Sequence, residues 1–125
     1  MTDLSAFLKG KLADRSPWNC STMASDWCVA NGYPDFAASW RSVVDQSACD
    51  TAAEAGGGLL ALWDRDIGSG LPPADEPQRG DIAVVEAMGL QAGAIFTGER
   101  WAIQASRTLH FLAPDQVRVI KAWRL

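Results

Sequence analysis

Cys20 and His110 are the residues of this chain whose types and positions bear on nucleophilic chemistry. Cys20 follows Asn19, a good N-cap type, and opens a run in which Cys20, Met23, Ala24, Trp27 and Cys28 fall at i, i+3, i+4, i+7 and i+8. That spacing predicts a helix over 20–30 with one apolar, buried stripe, closed by Gly32. A thiol in the first turn of a helix sits at the positive end of the dipole, which favours thiolate. The same position also suits an inert core cysteine, because free cysteine is among the most buried residue types. A nucleophilic reading needs an imidazole close by to take the thiol proton and later protonate the leaving group. His110 is the single histidine in the chain. Among Leu109, Phe111 and Leu112 it reads either as a satisfied structural histidine or as an alternative base.

The rest of the chain must position these groups. Leu4, Phe7, Leu8 and Leu12 form the stripe of a first packing helix, capped by Thr2 or Asp3, with Lys9 and Lys11 on the wet side. Asp14 to Pro17 is a turn that delivers Trp18 and Cys20. Asp35 caps a short helix carrying Phe36 and Trp40, a further helix runs from Ala48 to Ala55, and a last one from Leu59 to Ile67 turns Leu59, Leu62 and Trp63 inward. Gly56, Gly57 and Gly58 are a helix stop and hinge; the strand and Lys-Ser/Thr pair of a phosphate cradle are absent from their flanks. Residues 68–80, rich in Gly, Pro and acidic side chains, form a surface loop between a helical half, 1–67, and a β half, 81–125. In the β half Ile82–Val85, Ala92–Phe96, Trp101–Ala105, Leu109–Leu112 and Val117–Trp123 are short strand-type runs. Val117 and Val119 face inward in the last of them, alternating with Arg118, Lys121 and Arg124. Helices followed by strands predict a single α+β domain, with a central cysteine-bearing helix packed on a C-terminal antiparallel sheet.

Composition narrows the function classes. The chain has 125 residues, a net charge of −4, six tryptophans and three cysteines. That length supports a core without staples, and Cys20 and Cys28, about 12 Å apart along a helix, are too far apart to bridge. Scattered basic residues argue against nucleic acid. The N-terminal residues lack a secretory pattern, no uncharged apolar run is long enough to span a membrane, and no cofactor or metal is indicated. Synthesis and folding in the cytoplasm are expected.

Three stretches together resemble the NlpC-type papain-like cysteine peptidases, which cut cell-wall peptides. Asn19-Cys20-Ser21-Thr22-Met23 is similar to the family's Asp-Cys-Ser-Gly-Leu, and Pro77-Gln78-Arg79-Gly80-Asp81-Ile82 to its Pro-x-x-Gly-Asp motif. Ala92-Gly93-Ala94-Ile95-Phe96-Thr97-Gly98, followed by Ile103-Gln104-Ala105, aligns without a gap on its His-Val-Gly-Ile-Tyr-x-Gly and Ile-His-Ala segments. The whole chain, with Ala24-Ser25-Asp26-Trp27 and the final Lys121-Ala122-Trp123-Arg124-Leu125, looks like small NlpC-related proteins of phage and prophage tail clusters. The resemblance implies Cys20 as nucleophile or its remnant, Gln104 at the third, orienting position, and Ala92 where the base would stand. An amide cannot act as that base. The resemblance further implies a tail-tip or baseplate structural protein on a degenerate peptidase fold. It would be deployed in the virion after assembly in the host cytoplasm, with other tail-tip or hub proteins as partners. An active cysteine hydrolase of cell-wall peptide, with peptidoglycan as partner, and an unrelated α+β binding domain are the alternatives.

Overall fold

A computed structural model describes residues 3–13, 22–38, 58–87, 89–105 and 108–125. Among them are three helices, α1 (Leu4–Ala13), α2 (Thr22–Ala30) and α3 (Leu59–Ile67). They are joined by five strands, β1 (Ile82–Ala87), β2 (Leu90–Phe96), β3 (Trp101–Ala105), β4 (Thr108–Leu112) and β5 (Arg118–Trp123). The strands make one antiparallel sheet in the order β4-β3-β2-β1-β5. The α+β architecture expected from the sequence is present. The stretch 14–21, with Asn19 and Cys20, and the expected helix 48–55 lie outside the described residues.

Local chemistry accounts for the helix ends. Asp3 accepts the Ser5 backbone N–H through its carboxylate at 2.9 Å and so caps α1. α2 closes in a Schellman turn: Gly32, at φ 87°, donates to Val29 O at 3.0 Å, and Tyr33 donates to Cys28 O at 3.0 Å. Asp35 then accepts from the Ala37 N–H, 3.1 Å away.

Strict alternation sorts the strand residues onto two faces. On one side Ile82, Val84, Ile95, Ala102, Leu109 and Trp123 join Leu4 and Leu8 of α1, Met23, Ala24, Trp27 and Cys28 of α2, and Leu59, Leu62, Trp63 and Ile67 of α3. The rings of Trp63 and Trp123 pack at a tilt of 41° with centres 5.7 Å apart. On the other side Ala83, Val85, Ala94, Trp101, Ile103 and Ala122 form a second cluster with Ala74. Phe96 packs against this cluster through Trp101, with ring centres 4.8 Å apart.

Several expectations are corrected. Lys11 faces α2, where it pairs with Asp26, because the polar edge of α1 meets the polar edge of its neighbour. Residues 68–80 are partly an inner segment: Leu71 and Ala74 are buried, Pro73 bridges Trp123, and the Ala74 N–H donates to Ala122 O at 2.8 Å. The loop thereby covers part of the outer edge of β5, which would otherwise present unpaired backbone groups. Val119 is exposed, since an irregularity between Val84 and Val85 pairs those residues with Lys121 and Val119 and leaves Ile120 as the extra residue.

Candidate functional site

The Pro77–Asp81 motif is a structural junction. Asp81 is 3 % exposed and its carboxylate accepts the Gln78 N–H at 2.8 Å, while the Asp81 N–H returns to Gln78 O at 2.9 Å. Arg124 brings its guanidinium within 3.4 Å of the same carboxylate oxygen. The turn leaves the Gly80 carbonyl aimed at α2, where the Trp27 indole N–H donates to it at 2.8 Å. Gly80 has φ 95°, a left-handed conformation that side-chain-bearing residues rarely adopt. The motif thus fastens the start of β1 to the middle of α2, and a buried indole obtains the partner it requires.

The positions marked by chemistry are not gathered on one face. Gln104 stands opposite Leu109 on the helix-facing side and is 7 % exposed, and its carbonyl oxygen is buried with no hydrogen-bond partner. Ala92 stands opposite Val85, two residues from Ala94, so its strand position belongs to the far face. It is half-buried and touches both clusters. The neighbours of Ala92 on β2, Gln91 and Gly93, share the face of Gln104, and Gln91 is exposed. The gapless alignment through Ala92 and Gln104 therefore joins positions on opposite faces, and shifting it by one residue puts Gln91 in place of Ala92, on the face of Gln104.

His110 pairs with Ile103 on β4, the edge strand, and is exposed. A structural histidine satisfied within the core is not what the fold contains. The register puts His110 on the far face, opposite the side on which α2 packs, so the described elements do not carry it towards the helix. Exposure of Phe111 has the same origin, an edge strand without a further neighbour among the described strands.

Cys28 is fully buried in the middle of the helix-facing core. Desolvation, followed by the negative charge of Asp35, pushes its thiol up from 9.0 to about 12. It is a packing residue, unreactive at neutral pH. Among the described residues no group of three or more His, Cys, Asp or Glu side chains could hold a metal ion, and no helix is long and apolar enough to cross a membrane.

A cleft of about 170 Å³ lies beside the junction, lined by Trp27, Asn31, Tyr33, Arg79, Gly80 and Leu125. Sequence reasoning passed over it. Arg79 stood there as a variable position of the Pro-x-x-Gly-Asp motif, and only the fold brings it against the end of α2. A second cavity, between α2 and α3, has room for about 10 Å³, roughly one water molecule.

No curated protein and no solved structure matches the chain. A family model described as Domain of unknown function (DUF6950) matches residues 2–125. With that match running along essentially its whole length, the chain belongs to the DUF6950 family.

Proposed function

We propose that the protein is a structural component of a phage-type tail tip, built on a degenerate NlpC-type, papain-like fold that has lost its catalytic histidine. The reading is supported by the order of elements, a helix preceded by the cysteine and followed by an antiparallel sheet, and by the Pro77–Asp81 junction that ties the two together. The observation that carries it is the placement of His110. The single imidazole of the chain is exposed on the far face of the edge strand, while the helix-facing side offers the amide of Gln104 and, by register, that of Gln91. Amides can hold a geometry through hydrogen bonds, but they cannot shuttle the proton that thiol catalysis needs. A stable scaffold with docking surfaces for other tail-tip or hub proteins is the use that remains for such a domain.

Tail particles from cells expressing an epitope-tagged copy test this directly. Gold-labelled antibody is expected to decorate one end of the tail, and deletion of the gene to yield incomplete tails. Complete, infectious particles that form without the protein would overturn the assignment.

A further inference from the structure

We infer that the outer edge of β4 is a self-association site, at which two copies of this chain pair their β4 strands antiparallel about His110. This goes beyond the structural role proposed above and does not depend on it. The sheet has two edges, β4 and β5, and they differ. At β5 the preceding loop lies along the strand, with the Ala74 N–H donating to Ala122 O at 2.8 Å and the Arg124 N–H to Pro72 O at 2.9 Å. The same strand carries Arg118 and Lys121 and is interrupted by the irregularity opposite Val84 and Val85. Cover, charge and a bulge are devices that keep an edge from pairing with another chain. β4 has neither the charge nor the bulge: Thr108, Leu109, His110, Phe111 and Leu112 include no Asp, Glu, Lys, Arg or Pro, and they pair with β3 in an unbroken register. Among the described residues, no backbone hydrogen bond reaches β4 from its outer side. Antiparallel pairing to β3 uses the N–H and C=O of every second residue, so the alternate residues leave theirs at the open edge.

A second copy is the occupant that the strand itself specifies. His110 is the centre of the five residues, so an antiparallel copy overlaps along the whole strand only with His110 opposite its own equivalent. Leu109 then stands opposite the second copy's Phe111 and Thr108 opposite its Leu112, and the two-fold repeats each pair. Phe111 is 39 % exposed on the helix-facing side, and an apolar cross-strand neighbour covers it there. No Asp, Glu, Lys or Arg meets its like within the paired strands, whereas self-pairing of β5 would bring Arg118 and Lys121 of both copies onto one seam. Five residues on each side bury less than the roughly 1,200 Å² at which standard interfaces begin, so the pair is weak, with Kd on the order of 100 μM. It joins the sheets of the two copies into one continuous sheet.

Sedimentation equilibrium of the full chain between about 10 μM and about 1 mM tests the pairing, together with hydrogen exchange at the wild-type amides. We expect a monomer–dimer equilibrium and, as concentration rises, slower exchange at alternate amides of β4, a readout that needs no variant. His110→Lys and His110→Glu, at an exposed position, each place like charges across the two-fold and should weaken association about tenfold. An equimolar mixture of the two variants sets opposite charges across the two-fold and should regain association close to that of the wild type. A wild-type chain that stays monomeric at about 1 mM, a dimer whose β4 amides exchange equally fast at every concentration, or a mixture that associates no better than either variant alone would overturn the proposal.

Discussion

On the helix side of the sheet, Ile82, Val84 and Ile95 are covered by side chains from distant parts of the sequence, Met23 and Trp27 of α2 and Leu62 and Trp63 of α3. On the far side, Ala83, Val85, Ala94 and Ala122 share their cluster with residues of the sheet itself, chiefly Trp101 and Ile103, and with Ala74 from the loop before β1. The small residues of the far face make room for one large aromatic. The helix face takes large residues from both partners and must bring segments together across the chain. It is also the face with a buried polar atom lacking a partner, the Gln104 carbonyl.

Truncation of the two buried tryptophans, one on each face, has the largest expected effect. Trp27→Ala removes a fully buried ring and also leaves the Gly80 carbonyl without its indole donor. We expect a loss of about 5 kcal/mol in urea unfolding. Trp101→Ala, on the face where the ring makes no side-chain hydrogen bond to a distant turn, is expected to cost about 3 kcal/mol. Equal losses would show that the junction at Gly80 adds nothing to the burial of Trp27.

A smaller effect separates the faces by pH. Burial holds the Cys28 thiol at about 12 in the folded protein against 9.0 for the unperturbed group. The folded state therefore keeps a proton that the unfolded state gives up, and the associated stability is present below pH 9 and lost as pH rises towards 12. Relative to Cys28→Ala, the wild-type protein should lose about 1 kcal/mol between pH 9 and pH 10. Parallel pH profiles for the two proteins would mean that Cys28 meets water in the native state.

Much of this arrangement was legible in the residues. The period-2 runs from Ile82 onward marked all five strands because each is bounded by Gly, Pro or charged turns, and the stripe through Met23, Ala24, Trp27 and Cys28 marked the buried face of α2. Pairing partners were not legible. Strand alternation determines that residues 92 and 104 each take one face, but only the hairpin register decides whether the faces coincide, and the four residues Thr97–Arg100 between Phe96 and Trp101 set that register so that they do not. The burial of Leu71 and Ala74 was hidden by the Pro and Gly residues around them, which mark turns without indicating whether the turn is packed. The exposure of His110 follows from β4 being at an edge, a property of strand order that no local pattern records.

The smallest expected effect sharpens the same contrast. Because the Gln104 carbonyl has no donor, Gln104→Leu removes an unsatisfied group, and stability should change by less than about 1 kcal/mol in either direction. A loss of about 2 kcal/mol or more would reveal a hydrogen bond that holds this amide in place.

Hydrolysis of purified cell-wall peptides by the wild-type protein and by a Cys20→Ser variant tests the proposed loss of thiol catalysis. No turnover above background is expected of either protein, since the register puts His110 on the face of the sheet opposite the side on which α2 packs. Turnover by the wild-type protein that disappears in Cys20→Ser would contradict it.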